Sequence, residues 1–283
     1  PPNRAPFCFH SPERVEKAMT GLRVVTWNVN SVRRRLDQLI RLDSALQPDV
    51  LCLQETKVMD AMFPTASLAA LGYTHAAIHG QKAYNGVAIF SRKPMTDHGT
   101  IAWVGKDDRR HIWAEIDGIE LHNLYVPAGG DIPDPKENPK FDHKLNFLDE
   151  MIVWSGGLDN ASKPRLLVGD LNVAPLETDV WSHKQLRNVV SHTEPEIARL
   201  NQLQAAGGWV DAQREITPPD QHLYTWWSYR ARDWKAANKG RRLDHAWMSP
   251  ALAGRLEGSD VFKPARDWHL PSDHAPVVVD LAG

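Results

Sequence analysis

The sequence predicts an α/β fold in which two packed β-sheets are flanked by helices. Three observations carry that prediction. Runs rich in β-branched and aromatic residues recur from residue 22 to residue 281. Only a few stretches show helical spacing over a helical length. The patterned region begins and ends in strands, with no linker-like or repeated segment dividing it.

Residues 22–28 form the first β-branched run. Ser31 is placed as an N-cap. Val32, Leu36, Leu39, Ile40 and Leu46 then follow helical spacing up to Pro48. Residues 50–54, 86–91 and 112–116 read as strands. Residues 119–126 read as another, joined to the previous one by the tight turn Asp117-Gly118. The Pro/Gly stretch 127–139 is a long excursion of the kind that often carries function. Helices are expected over 141–154 and 196–204. Strands are expected over 165–169, 223–227, 243–248 and 277–281. One domain over residues 21–283 is the resulting organisation, preceded by a proline-rich extension, residues 1–20, read as flexible and lacking the features of a signal peptide, with Met19 as a natural start.

The chain has 283 residues, of which 42% are hydrophobic and 24% charged, enough to bury a core without cross-links. Lys plus Arg number 33 and Asp plus Glu 35, a net charge of -2, so any grip on phosphates rests on a local basic patch. Cys8 and Cys52 make neither a disulfide framework nor a zinc spacing, and Cys52 lies in an apolar run. A reducing compartment fits, and no apolar stretch is long enough to span a membrane. His10, His75, His79 and His143 show no metal spacing.

The polar residues fall where strands end. Asn28, Glu55, Tyr125 and Asp170 each follow or close an apolar run, Asn172 comes just after, Asp244 sits inside one, and Asp273-His274 precedes the last. Strand ends that converge on one edge of packed sheets assemble a single site. Carboxylates and amide oxygens suit a hard cation such as magnesium, and no cysteine is available for a soft site. Several carboxylates with one histidine and one tyrosine suit phosphoryl chemistry, in which a carboxylate takes a proton from water and fixed donors stabilise the charge on phosphate oxygens. The Gly-rich P-loop and the G-x-S-x-G elbow are both missing from the sequence.

Six motifs occur in order: Trp27-Asn28-Val29-Asn30, Leu53-Gln54-Glu55-Thr56-Lys57, Tyr125-Val126-Pro127, Gly169-Asp170-Leu171-Asn172, Arg242-Leu243-Asp244 and Pro271-Ser272-Asp273-His274-Ala275-Pro276. The series, with residues 80–88 and 224–230, resembles the exonuclease III family of apurinic/apyrimidinic (AP) endonucleases, within the endonuclease/exonuclease/phosphatase superfamily. The resemblance implies a four-layer sandwich of two mixed β-sheets flanked by helices, as in DNase I. It implies Glu55, Asn28 and Asp273 as ligands of Mg2+, with Mn2+ as a substitute. Asp170 would orient or deprotonate water, Asn172 would hold water and phosphate, and His274 would donate to a phosphate oxygen with Asp244 fixing its tautomer. Tyr125 would lie beside the phosphate, and Trp226 would line the pocket for a baseless sugar. Asn30 stands where some relatives carry an acid, and Ala128 where many place an amide.

The activity implied is cleavage of duplex DNA 5′ to abasic sites in base-excision repair, with 3′–5′ exonuclease and 3′-phosphatase action on blocked ends, by a cytoplasmic, nucleoid-associated monomer without a membrane partner. DNA contacts are expected from Arg109, Arg110, Trp226, Tyr229 and Arg230. These last three open a basic, aromatic stretch that continues through Trp227, Arg232, Trp234, Lys235, Lys239, Arg241 and Arg242. Arg33 to Arg35 reads as a solvated helix face with one member reaching DNA, and Trp103, Trp113, Trp181 and Trp247 as packing residues. Two competing readings are a superfamily phosphatase acting on inositol phosphates or lipids, and a DNA-binding module without catalysis. The basic tryptophan stretch argues against the first and the complete set of acid, amide and imidazole groups against the second.

Overall fold

The computed structural model describes residues 21–283, so Cys8, His10, Met19 and the expected extension lie outside the described residues. Fourteen strands follow in chain order. They are β1 (Leu22–Asn28), β2 (Val50–Gln54), β3 (His75–His79), β4 (Val87–Ser91), β5 (Met95–Gly99), β6 (His111–Ile116), β7 (Ile119–Tyr125), β8 (Arg165–Asp170), β9 (Val210–Asp211), β10 (Trp226–Trp227), β11 (Gly240–Arg241), β12 (Asp244–Met248), β13 (Leu256–Val261) and β14 (Val277–Leu281). The α-helices are α1 (Leu36–Leu46), α2 (Thr65–Ala69), α3 (Pro139–Gly156), α4 (His183–Leu186), α5 (Glu194–Gly207), α6 (Ala212–Ile216), α7 (Trp234–Ala237) and α8 (Pro250–Ala253). One six-stranded sheet has the order β13-β14-β1-β2-β4-β3 and the other β5-β6-β7-β8-β12-β9, with β10 and β11 as a separate ribbon. Both large sheets are mixed: β1 pairs β2, and β7 pairs β8, in parallel, while their other pairings are antiparallel.

Period-two alternation divides each central strand between two cores. Val24, Val50, Cys52, Ile89 and Val279 point into a core shared with Leu121, Leu166, Val168, Ala246 and Met248 of the other sheet. Val25, Trp27, Leu51, Leu53 and Phe90 face the opposite way, against Leu39, Leu42 and Leu46 of α1. Leu124, Leu167 and Trp247 face Phe147, Leu148 and Met151 of α3 and Leu200 and Leu203 of α5. The result is four layers: helix, sheet, sheet, helix. Strands buried on both faces explain why they read as nearly continuous apolar runs. Trp103 and Trp247 are buried as expected for packing residues, while Trp113 and Trp181 are only half-buried.

Helix ends follow local chemistry. Asn138 caps α3, its side chain accepting from the Lys140 N–H, with Pro139 in the first turn. At α5, Glu196 Oε2 accepts the Thr193 N–H at 3.2 Å, closing a capping box. The expected cap at Ser31 is corrected. Ser31 makes no side-chain cap, a single 3-10 turn over Val32–Arg34 intervenes, and α1 begins at Leu36. The reason is tertiary: the Ser31 and Val32 N–H groups bond the Glu55 and Thr56 carbonyls at 2.8 and 3.1 Å, tying this segment to the end of β2. The expected strand over 223–227 shortens to β10.

Candidate active site

Strand register brings the polar ends together. In the parallel β1/β2 pair Asn28 lies opposite Gln54, so Glu55 emerges one residue beyond. In the second sheet Tyr125 pairs with Asp170 and Asp170 with Asp244. Gly169, inside β8 just before Asp170, lets the β7 backbone approach closely. Its φ is 136°, and a Cβ there would lie 2.0 Å from the Leu124 carbonyl oxygen, so only glycine fits. The loop before β14 is fixed by Ser272, whose hydroxyl donates to the Asn28 carbonyl at 2.6 Å, and by the Ala275 N–H bonding the Thr225 carbonyl at 2.7 Å.

Asn28, Glu55, Tyr125, Asp170, Asn172, Asp244, Asp273 and His274 meet in one network. His274 Nδ1 lies 2.8 Å from Asp244 Oδ2, and its Nε2 lies 3.7 Å from Asp170 Oδ2. Asp244 is fully buried and held by its own N–H and that of Leu243 on Thr225 Oγ1, each at 3.0 Å. Asn28 Nδ2 donates to Glu55 Oε1 and to Asp170 Oδ2, both at 2.9 Å, while its Oδ1 accepts the Asn30 N–H at 3.0 Å. Asn28 thus stands as a donor bridging two carboxylates, because oxygens flank it on both sides. Tyr125 donates its hydroxyl to Glu55 Oε1 at 2.9 Å. Asn172 donates its amide to the Val126 carbonyl at 3.0 Å, and its N–H bonds Asp170 Oδ1 at 3.0 Å. Glu55 and Asn172 adopt φ of 50° and 54°, a left-handed conformation that costs ~1–3 kcal/mol where it is imposed on such residues.

Asp273 accepts from Trp226 Nε1 at 2.9 Å and Asn30 Nδ2 at 3.2 Å, which joins Trp226 to the network. Glu55, Ala128, Gly130, Asp170, Asn172 and Trp226 contribute to the walls of a cleft of about 240 Å3 that Asp273 and His274 also line. Burial acts on the titrating groups first. It pushes Asp170 up, reinforced by Asp244 and Glu55 against the opposing His274 charge. It pushes His274 down, but Asp244 and Asp170 outweigh it and hold the imidazole charged above its ordinary range. Burial also raises Glu55 and Asp273, yet both end below their ordinary value, the first chiefly through Lys57 and the second through His274. Burial and the Glu55 and Asp170 charges keep the Tyr125 phenol protonated, well above its usual range.

Other expected residues lie farther out. Arg110 stacks over the Tyr125 ring with its guanidinium carbon 4.7 Å from the ring centre and pairs with Asp108. Arg109 pairs with Asp107 at 3.0 Å on the loop before β6. Tyr229 and Arg230 are exposed, the former bonding the Pro271 carbonyl at 2.8 Å. Two expectations are corrected. Arg242 does not face DNA: it lies between β11 and β12, buried and paired with Asp179 and Asp211. Arg35 is no solvated helix residue: it is buried, donating to Tyr229 Oη and the Pro271 carbonyl, both at 2.9 Å. Arg33 and Arg34 are exposed.

Sequence reasoning assigned no role to Lys57, whose amine lies 2.7 Å from Glu55 Oε2 and 2.6 Å from Asn30 Oδ1. It also passed over Lys144, fully buried behind the site, where its amine donates to the Asn172 carbonyl at 2.8 Å and pairs with Glu196. The spacing of Phe141, Lys144, Leu145 and Leu148 put that lysine on an apolar helix face, a signal of burial. Two donor sets could hold a metal ion. Asp170, Asp244 and His274 bring ligand atoms within 4.8 Å of one another. Glu55 and Asn30 direct oxygens at one positive group, the Lys57 amine, with Asp273 bonded to the same Asn30.

Residues 25–274 match the model of the Endonuclease/Exonuclease/phosphatase family. The chain is 29% identical to exodeoxyribonuclease III of Haemophilus influenzae over 90% of this chain and 98% of that one. Its structure superposes with a TM-score of 0.85 on an AP endonuclease from Archaeoglobus fulgidus, 34% identical, covering 92% of this chain and 99% of the other. The same score relates it to a 3′ phosphatase from Neisseria bound to product DNA hairpin, 31% identical over 93% of this chain and 100% of that one.

Proposed function

Because this chain belongs to the endonuclease/exonuclease/phosphatase family, we propose that it is a magnesium-dependent DNA phosphodiesterase of base-excision repair, its residues 21–283 forming a single catalytic domain. It cleaves duplex DNA on the 5′ side of abasic sites and trims 3′ ends. The observation that carries this reading is the Asp244–His274–Asp170 relay facing Glu55 across one cleft.

His274 is held charged and aims Nε2 toward the cleft, where a phosphate oxygen accepts from it. Asp244 fixes the tautomer by taking the Nδ1 proton's hydrogen bond. Asp170, pushed up by burial, is suited to accept the proton of the attacking water, and Asn28 and Asn172 fix its two oxygens. The neutral Tyr125 hydroxyl orients Glu55.

The all-oxygen set of Glu55, Asp273 and the Asn30 amide fits a hard cation, for which the Lys57 amine is the stand-in charge. Bound there, Mg2+ or Mn2+ would neutralise phosphate oxygens as charge develops. The buried Asp170, Asp244 and His274 set is the weaker candidate, since a metal there would break the His274–Asp244 bond. Arg109, Arg110, Tyr229 and Arg230 contribute contacts to the DNA backbone. No helix among the described residues is long and apolar enough to cross a membrane. A monomer acting on nucleoid DNA in the cytoplasm accords with this reading.

Incubation with Mg2+ and a duplex carrying a tetrahydrofuran abasic analogue should give a nick 5′ to the analogue. Glu55→Ala and His274→Ala should each abolish it. An intact duplex in the presence of folded protein overturns the proposal. Removal of a 3′-phosphate uses the same atoms, and the likeness to a 3′ phosphatase favours including it.

A further inference from the structure

The cleft holds a second cation besides His274, and one row of backbone pairing places both. Trp226 pairs with Arg241 across the β10/β11 ribbon and bridges His274 on its other side. Paired residues stand ~5 Å apart at Cα, which puts Arg241 and His274 about 10 Å apart with Trp226 between them. All three line the cleft. The Arg241 guanidinium carbon lies 5.4 Å from the centre of the Trp226 ring. Its Nη1 is anchored, donating to the Val190 carbonyl at 3.0 Å and to Ser191 Oγ at 2.7 Å. Among the described residues Nη2 has no acceptor, and Nε is buried without one.

Arg241 also lacks a counter-charge: among the described residues it forms no ion pair. The carboxylates that share the cleft are engaged elsewhere, Glu55 by Lys57, Asp170 by Asn28 and Asp273 by Trp226. Glu196, the acid whose charge reaches Arg241, is paired with Lys144. A half-buried cation without a partner is costly, and a bound anion relieves that cost. An abasic sugar is neutral and offers it nothing. The reacting phosphate belongs to His274 at the other side of Trp226, so the cleft has room for a second negative group.

We infer that Arg241 is a specificity-determining residue that binds a second anion of the substrate, joined to the reacting phosphate by a short linker on the side away from the departing O3′. This deepens the nuclease reading and rests on it. Two groups have that chemistry: the carboxylate of a fragment esterified to a 3′-terminal phosphate, and the phosphate that follows an abasic sugar in an unbroken strand. The reaction is the same for both. The oxygen of water bonds to phosphorus, the P–O3′ bond breaks, O3′ takes a proton, and the phosphate stays with the anion-bearing side. Because hydrogen bonds to a charged acceptor are about twice as strong as neutral ones, Arg241 separates a charged group from a neutral one of the same shape.

Two pairs of duplexes test this with the full chain. In the first pair a 3′-phosphate is esterified with glycolate or with its neutral isostere glycolamide. In the second the linkage that follows tetrahydrofuran is a phosphate or a neutral methylphosphonate. In Mg2+, wild type should favour the charged member of one or both pairs by about tenfold or more in kcat/KM, the scale of one hydrogen bond to a charged group. The pair that responds identifies the source of the anion. Arg241→Gln, whose amide can still donate to the Val190 carbonyl, should lose that factor on the charged member only and stay within about twofold on the neutral one. Arg241→Lys should restore part of it. Urea midpoints show that both variants are folded. Equal rates within both pairs, with the tetrahydrofuran duplex cut by wild type, overturn the Arg241 proposal and leave the nuclease reading standing. Equal losses on charged and neutral members in folded Arg241→Gln also overturn it. Binding of fluorescein-labelled duplexes in EDTA, where nothing is cut, supplies the independent readout. A charge preference in Kd that Arg241→Gln erases, with no duplex cut in Mg2+ by folded wild type, upholds the anion site and sinks the nuclease reading.

Discussion

His274 lies between two carboxylates, with Asp244 on its Nδ1 and Asp170 near its Nε2, in a buried position on the wall of the cleft. Removing the charge of Asp244 while keeping its shape therefore removes the main source of the imidazolium's stability and frees the ring to adopt the other tautomer. Asp244→Asn should lower kcat on the tetrahydrofuran duplex by roughly 10²–10⁴-fold, the scale of losing a correctly charged and oriented acid–base partner, with KM nearly unchanged. Single-turnover rates against enzyme concentration separate the two. A raised KM at constant kcat would assign Asp244 to substrate binding instead. These residues were legible in the sequence because an acid or imidazole beside an apolar run is conspicuous. Lys57 was not, since a lysine after a strand reads as solvated. What returns its amine to Glu55 and Asn30 is the local backbone, where Lys57 has φ of 54°.

In the two large sheets, the strands that sequence reasoning missed follow a rule at the element scale. β13 and β3 are the two edges of the first sheet, and β5 and β9 the two edges of the second. An edge strand has one neighbour and much of its surface in water, so β5 reads Met-Thr-Asp-His-Gly and β13 Leu-Glu-Gly-Ser-Asp-Val, neither with apolar alternation. The central strands, buried on both faces, were all expected. A second consequence concerns α3 and α5, joined by the buried Lys144–Glu196 pair. Lys144 also reaches the Asn172 carbonyl, and Glu196 accepts the Ser191 and Thr193 N–H groups, so the pair braces the loops behind the cleft. Lys144→Met leaves Glu196 buried without its cation and should cost about 3–5 kcal/mol in urea unfolding. The double variant Lys144→Met/Glu196→Gln should recover part of that loss. If the single and double variants prove equally stable as wild type, the pair does not brace these helices.

Across the whole molecule, folding also encloses histidines whose burial disfavours the charged form. His111, His122, His192 and His245 are all nearly solvent-free, and burial is the leading cause that holds each below its ordinary value, His245 down to about 3. In the unfolded chain these rings take a proton near pH 6.5. Between that value and the lower folded value the unfolded state binds more protons, so stability rises with pH there and falls as the solution is acidified. His274 has the opposite sign: its folded value is raised, so its contribution is complete below pH 6.5 and is lost only as pH rises through the folded value. It therefore does not offset the acid loss by changing its own charge in that window. Each neutral buried histidine adds a slope of up to ~1.4 kcal/mol per pH unit. His245 isolates the effect, because its Nε2 bonds the Val173 carbonyl at 2.8 Å and a glutamine amide can replace that donor. Urea unfolding of wild type at pH 7, 6, 5 and 4.5 should show a steep decline that begins near pH 6.5, above the carboxylate range. His245→Gln should flatten it by about one proton's worth, and an unchanged slope in that variant would show that His245 is protonated in the folded protein after all.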